Sequence, residues 1–177
     1  MEHKPSTAIV TLGYGVIIAL AIIVFSLILF LLNFAKDSAL QYLTYIILLG
    51  GLFLAQTNYR NKYMGGYIEY GKAFTIGLLT SVFLSIMMGI YTFIFFKYID
   101  PGAMDEIMSS AEQKMMDRGM TDMEIEQGVA MARKLQSVGM YTFFAVAGNI
   151  FFGAILSLIT AIFVKKENTD FGQPAAQ

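Results

Sequence analysis

Four long stretches of the chain carry no formal charge. They run from Pro5 to Ala35, from Ser38 to Tyr59, from Ala73 to Phe96 and from Leu135 to Val164. A helix rising 1.5 Å per residue needs roughly 20 apolar residues to cross a hydrocarbon layer about 30 Å thick, and every stretch reaches that length. Within hydrocarbon each backbone N–H and C=O must find a partner, and a helix supplies one inside its own segment. The pattern predicts an all-α, polytopic membrane protein with four transmembrane helices, over about Ile9–Asn33, Leu40–Asn58, Phe74–Phe96 and Tyr141–Val164. The first is read as an uncleaved anchor, because a secretory h-region is only about 7–15 residues long. The spans are expected to form one domain over residues 1–167, followed by a disordered polar tail, 168–177.

The connections differ in character. Ala35–Ala39 is short and makes the first two helices a hairpin. Gln56–Lys72 is basic, aromatic and interrupted by Gly65, Gly66 and Gly71, so it is expected to be a loop. Its tyrosines suit a membrane interface. Arg60, Lys62, Lys72, Tyr63 and Tyr67 are the candidates for holding an anionic headgroup or metabolite. Residues 100–138 are expected to form an extramembrane amphipathic helical hairpin between the third and fourth spans. Asp100-Pro101 opens a helix with an apolar face of Met104, Ile107, Met108, Ala111 and Met115. Gly119 stops it, and Thr121 with Glu124 forms a capping-box pattern for a second helix. Methionines crowd between Met104 and Met140; thioethers bind copper(I), but their helical spacing favours packing.

Small residues recur every fourth position in two spans: Ala73, Gly77, Ser81, Ser85 and Gly89 in the third, Ala145, Asn149, Gly153, Ser157 and Ala161 in the fourth. Lipid tails are as apolar as leucine, so helices join through close backbone approach, and small residues permit it. These ten positions are the expected helix-packing residues. Asn149 is the most polar group in mid-span and is expected to find a partner in Thr80, Ser81 or Ser85.

Composition narrows the function. Hydrophobic residues make up 56% of 177, charged residues 14%, and the net charge is -1, which excludes a disordered chain and a nucleic-acid binder with a basic surface. There is no cysteine, and the single histidine is His3. No Asp, Glu, Lys, Arg or His lies within a span, and no HExxH, P-loop or GxSxG motif occurs. The expectation is no catalytic residue, no metal site and no cofactor. Lysine and arginine divide evenly between the two sides. One set sits in short segments at span ends, which favours both termini in the cytoplasm.

The segment Gly66–Phe74, the Ile99-Asp100-Pro101 turn and the run Gly153–Phe163 resemble the DUF4199 family over roughly residues 5–167. That resemblance implies a bacterial cytoplasmic (inner) membrane location and carries no activity, cofactor or site residue. Two functions fit the residues. One is a non-enzymatic scaffold or assembly subunit, partnered by the bilayer and by a second copy or another membrane protein. The other is a small channel or carrier for a neutral or lipid-like solute, along Thr75, Thr80, Ser81, Ser85, Asn149 and Ser157.

Overall fold

The computed structural model describes residues 6–34, 38–134 and 137–167. Six α-helices follow one another: α1 (Thr7–Leu31), α2 (Ser38–Tyr63), α3 (Tyr70–Ile94), α4 (Ala103–Asp117), α5 (Asp122–Lys134) and α6 (Val138–Val164). A π-helical turn, Phe95–Ile99, extends α3, and no strand occurs among the described residues. Three helices are long and apolar enough to cross a membrane: Thr7–Leu31, Tyr70–Ile99 and Val138–Val164, the signature of a membrane protein. The expected tail, 168–177, and the turn at 35–37 lie outside the described residues.

One compact unit includes the chain up to Met87 and resumes at Asn149; the other is Met88–Gly148. In the first, inward stripes follow helical spacing. On α1 the buried positions include Thr11, Gly15, Ile18, Ala19 and Ile22. On α2 they are Leu52, Ala55, Gln56 and Tyr59, and on α3 Ala73, Ile76, Thr80, Ser81, Leu84 and Ser85. Outward faces are apolar as well: Ile17 is 64% exposed and Phe163 72%. Exposed apolar surface on that scale needs a non-aqueous neighbour.

Two helix boundaries correct the sequence-based reading. First, α2 does not stop at Asn58 but runs on to Tyr63, because neither glycine nor proline occurs between Asn58 and Gly65. Gly65 (φ 63°) and Gly66 (φ 88°) then adopt the left-handed backbone, and the Gly66 N–H bonds back to Arg60 O at 3.0 Å, a glycine-mediated helix stop. Second, Gly71 does not break a helix. It lies in the first turn of α3, whose backward bonds begin with Ala73 N–H to Glu69 O at 2.9 Å. The expected loop therefore shrinks to a tight turn. Ile68 anchors it by pairing with Lys166 in a two-bond antiparallel bridge, Ile68 N–H to Lys166 O at 2.9 Å and Lys166 N–H to Ile68 O at 3.0 Å. Tyr59, Ile68, Ala73, Ile76, Ala161 and Val164 form a buried cluster beside it.

In the second unit, Asp100 Oδ1 accepts from Ala103 N–H at 3.1 Å and starts α4. Helix α4 begins at Ala103, so Pro101 precedes it by a turn rather than occupying its first position. Gly119 (φ 73°) turns the chain, and Thr121 and Glu124 close a reciprocal cap: Thr121 N–H donates to Glu124 Oε2 at 2.8 Å, and Glu124 N–H donates to Thr121 Oγ1 at 3.4 Å. Met104 and Ile125 are the buried residues of this helix pair. Phe96 meets Tyr141 edge-on, with ring centroids 5.0 Å apart.

Candidate functional site

The most constrained region of the first unit is a polar seam where α1, α2, α3 and α6 converge. Glycines set its width. A Cβ on Gly77 would collide with Gln56 Nε2 and lie 2.6 Å from Ser157 Oγ. One on Gly153 would sit 2.6 Å from Ser81 Cβ, and one on Gly15 would sit 2.9 Å from Thr80 O and Phe83 Cβ. On Gly51 it would meet Ile18 Cγ1 at 2.7 Å. Real Cβ atoms do not make such contacts, so only hydrogen at these positions lets the backbones approach this closely.

Hydroxyls in the seam satisfy themselves on their own helices. Thr80 donates to Ile76 O (2.8 Å), Ser81 to Gly77 O (2.9 Å), Ser157 to Gly153 O (2.7 Å) and Thr11 to Thr7 O (2.9 Å). This i−4 bonding suits a medium without water. Gln56 is the exception. It is fully buried, and its Nε2 donates across to Ser157 O at 3.4 Å while its Oε1 has no partner. Ser85 Oγ is likewise buried and unpartnered.

All five small positions on α3 are buried: Ala73, Gly77, Ser81, Ser85 and Gly89. On α6, Gly153, Ser157 and Ala161 are buried, Ala145 is half-buried and Asn149 is exposed. No hydrogen bond joins Asn149 to Thr80, Ser81 or Ser85; Thr80 and Ser81 turn to their own carbonyls instead. On α6 the buried positions are Gly153, Ser157, Thr160, Ala161 and Val164, all of them C-terminal to Asn149. In the second unit, Gly89 stays close-packed, because a Cβ there would strike Val146 Cγ2.

The basic and aromatic candidates separate. Arg60 is committed to the protein: its Nη1 donates to Val164 O at 2.9 Å and its Nε to Asn61 Oδ1 at 3.0 Å. It thus caps the negative end of α6. Tyr63 stacks at a tilt on Tyr59 (centroids 5.2 Å) and packs on the buried cluster, and Tyr59 shares a 2.9 Å hydrogen bond with Thr7. Lys62 is exposed. Tyr67 and Lys72, by contrast, line one cavity of about 840 Å³ together with Glu69, Tyr70, Lys166 and Glu167. Lys166 Nζ lies 5.3 Å above the Tyr67 ring centroid. The sequence-based reading missed Gln56 and Lys166. A glutamine four residues before a basic cluster and a lysine at a span end were the only signals.

Between α4 and α5 lies a second cavity, about 390 Å³, lined by Met116, Ile125 and Val129 together with Glu112, Asp122, Glu126 and Arg133. Glu124 stands outside it. Bonds from the Thr121 N–H, and secondarily the Thr121 hydroxyl, hold its carboxyl below the ordinary glutamate range. Among the described residues no cluster of histidine, cysteine or carboxylates is arranged to hold a metal ion.

Among the described residues the fold is all-helical, with three membrane-length apolar helices and a glycine-set polar seam, which marks a membrane protein. The family model described as "Protein of unknown function (DUF4199)" matches residues 13–166, and the chain belongs to that family. No curated protein and no solved structure matches it.

Proposed function

We propose that this protein is a non-enzymatic assembly or modulatory subunit of a bacterial cytoplasmic-membrane complex. In this reading α2 supplies a fourth crossing. Its contacts with α6 stretch from Tyr45, edge-on to Phe152 at 5.5 Å, to Arg60 on Val164, which is about 22 Å of helix at 1.5 Å per residue. Arg60, Lys62, Lys72, Lys165 and Lys166 then gather on one side, which by the positive-inside rule is the cytoplasm, with both termini there. The α4–α5 pair is an acidic hairpin.

The observation that carries the reading is the seam itself. Neighbouring side chains and backbone crowd Gly15, Gly51, Gly77 and Gly153 too closely to admit even a Cβ, and no Asp, Glu, Lys, Arg or His lies in the seam. Function is then left to the surfaces. The experiment is affinity purification in mild detergent, with site-specific cross-linking from Met123 and Met131, both about 70% exposed on α5. A stoichiometric partner or a defined homo-oligomer cross-linked at these sites is the expected result. A lone monomer under every mild condition overturns it.

The buried, unpartnered Gln56 Oε1 and Ser85 Oγ favour a second reading, a carrier for a neutral or lipid-like solute. Proteoliposome uptake of glycerol that disappears with Gln56→Leu would establish it over the assembly role.

A further inference from the structure

The 840 Å³ cavity at the α2–α3 turn falls in the range of small-ligand sites. Its charges are balanced: Lys72 and Lys166 against Glu69 and Glu167. Among the described residues none of these four closes an ion pair with another. Two cations and two carboxylates are held around one space without neutralising each other.

The positive half has a further contributor. Because Ala73 N–H is the first amide of α3 to bond backward, the amides of Tyr70, Gly71 and Lys72 are left open at the helix start, where the dipole is positive. Gly71 lines the cavity, and a Cβ built on it meets nothing within 4 Å, so the space reaches the helix backbone. The aromatic walls are Tyr67, already bearing a cation over its ring, and Tyr70, whose hydroxyl donates to Leu158 O. On α6 beyond that contact, Leu158, Ile162 and Phe163 are exposed and apolar. A charged chamber at the helix ends thus continues into an apolar track along the helix.

We propose that this chamber binds the zwitterionic headgroup of a phospholipid, a phosphate joined to a primary ammonium. The phosphate faces Lys72, Lys166 and the open amides of α3. The ammonium faces Glu69 and Glu167, and the acyl chains follow the exposed α6 face. A purely anionic headgroup satisfies the lysines and leaves both carboxylates facing like charge; a zwitterion satisfies both halves. The site rests on the membrane reading only for the placement of these helix ends at the bilayer surface.

The test is native mass spectrometry of the full chain released from nanodiscs containing equal phosphatidylethanolamine and phosphatidylglycerol. Retained phosphatidylethanolamine is expected to exceed phosphatidylglycerol by about tenfold, the scale of one charge-assisted contact. Gly71→Leu, which adds bulk only into open space, abolishes the preference, as does Glu69→Gln with Glu167→Gln. Lys72→Gln with Lys166→Gln lowers retention of both lipids. Equal retention, or a preference that survives Gly71→Leu, overturns the proposal. Displacement by glycerophosphoethanolamine at a concentration equal to the lipid's reassigns the chamber to a soluble metabolite and overturns the lipid assignment. If the protein fails to enter nanodiscs, the membrane reading fails with it; if it enters and retains lipid without preference, only the site fails.

Discussion

At the scale of the residue, the seam depends on what is missing from four side chains. Gly77→Val and Gly153→Val must displace Gln56, Ser157 or Ser81, and overpacking of this kind costs about 1–3 kcal/mol. Gly13 and Gly50 meet nothing within 4 Å, so alanine there is tolerated and gains helix propensity of about 0.5–1 kcal/mol. Thermal melts in one detergent separate the two classes; equal melting points for Gly77→Val and Gly13→Ala would remove the close-approach argument. Gln56 behaves differently. Its Oε1 is already unpaired, and its amide reaches Ser157 O only at 3.4 Å. Gln56→Leu therefore exchanges a weak bond and a desolvated acceptor for an apolar group, and stability holds or rises. A large loss would show that Gln56 has a stronger partner.

At the scale of the element, the helix ends hold the non-local ties. Arg60 serves as the last turn's cation for a helix not its own. Arg60→Ala leaves Val164 O exposed to apolar surroundings and removes the charge from the α6 terminus, with a loss of about 1–2 kcal/mol. Arg60→Lys recovers only part of it, because the shorter ammonium lacks the fork that also reaches Asn61. Amide exchange at Lys165 and Lys166 reports it directly: faster exchange in Arg60→Ala is expected, and no change would deny the cap.

The start of α5 gives a pH signature. Glu124 is bound more tightly as a carboxylate in the fold, so its folded value lies below its unfolded one. Its contribution is present above the ordinary carboxylate range, near about pH 4–5, and is lost as pH falls through the lowered folded value. Protection of the Thr121 amide, its exchange rate relative to the intrinsic rate at each pH, is expected to fall on acidification in the native chain. In Glu124→Gln protection should be lower at neutral pH and flat across the same range.

These elements also separate what the sequence makes legible from what it hides. The Thr121–Glu124 cap and the Gly119 turn involve neighbours in the chain, so spacing alone identifies them. The α3 stripe is legible because all five of its small positions are buried. Asn149 is misread because burial on α6 begins only at Gly153, a limit that the repeat does not announce. Arg60 is opaque in principle: an interfacial arginine looks the same whether it faces a phosphate or caps a carbonyl 104 positions later. The Ile68–Lys166 bridge and the Lys72–Lys166 chamber depend on that same distant pairing, so no local pattern announces them.

At the scale of the whole molecule, unmet polar groups among the described residues lie both inside, at Gln56 Oε1 and Ser85 Oγ, and outside, at Asn149. Asn149 presents an amide from α6 between phenylalanines, and an amide in hydrocarbon seeks a bond that the chain itself does not provide. In the assembly role proposed above, self-association in lipid would supply such a bond, at about 0.6 kcal/mol for an average case and up to about 1.7. Asn149→Leu is expected to shift a dilution series of donor- and acceptor-labelled protein in vesicles toward monomer, by roughly threefold in dissociation constant. An unchanged curve would direct the search for partners to the acidic hairpin instead.

The Arg60 tie also sets a clock on biogenesis. Its acceptor is translated 104 residues later, which at about 5–20 residues per second is roughly 5–20 s of elongation. During that interval the Arg60 guanidinium and the Gln56 amide lack the α6 carbonyls that they meet in the fold. Completion of the last helix, rather than entry of the first, is the event that locks the molecule, and a ribosome stalled before it leaves a charge-bearing intermediate for membrane quality control to find.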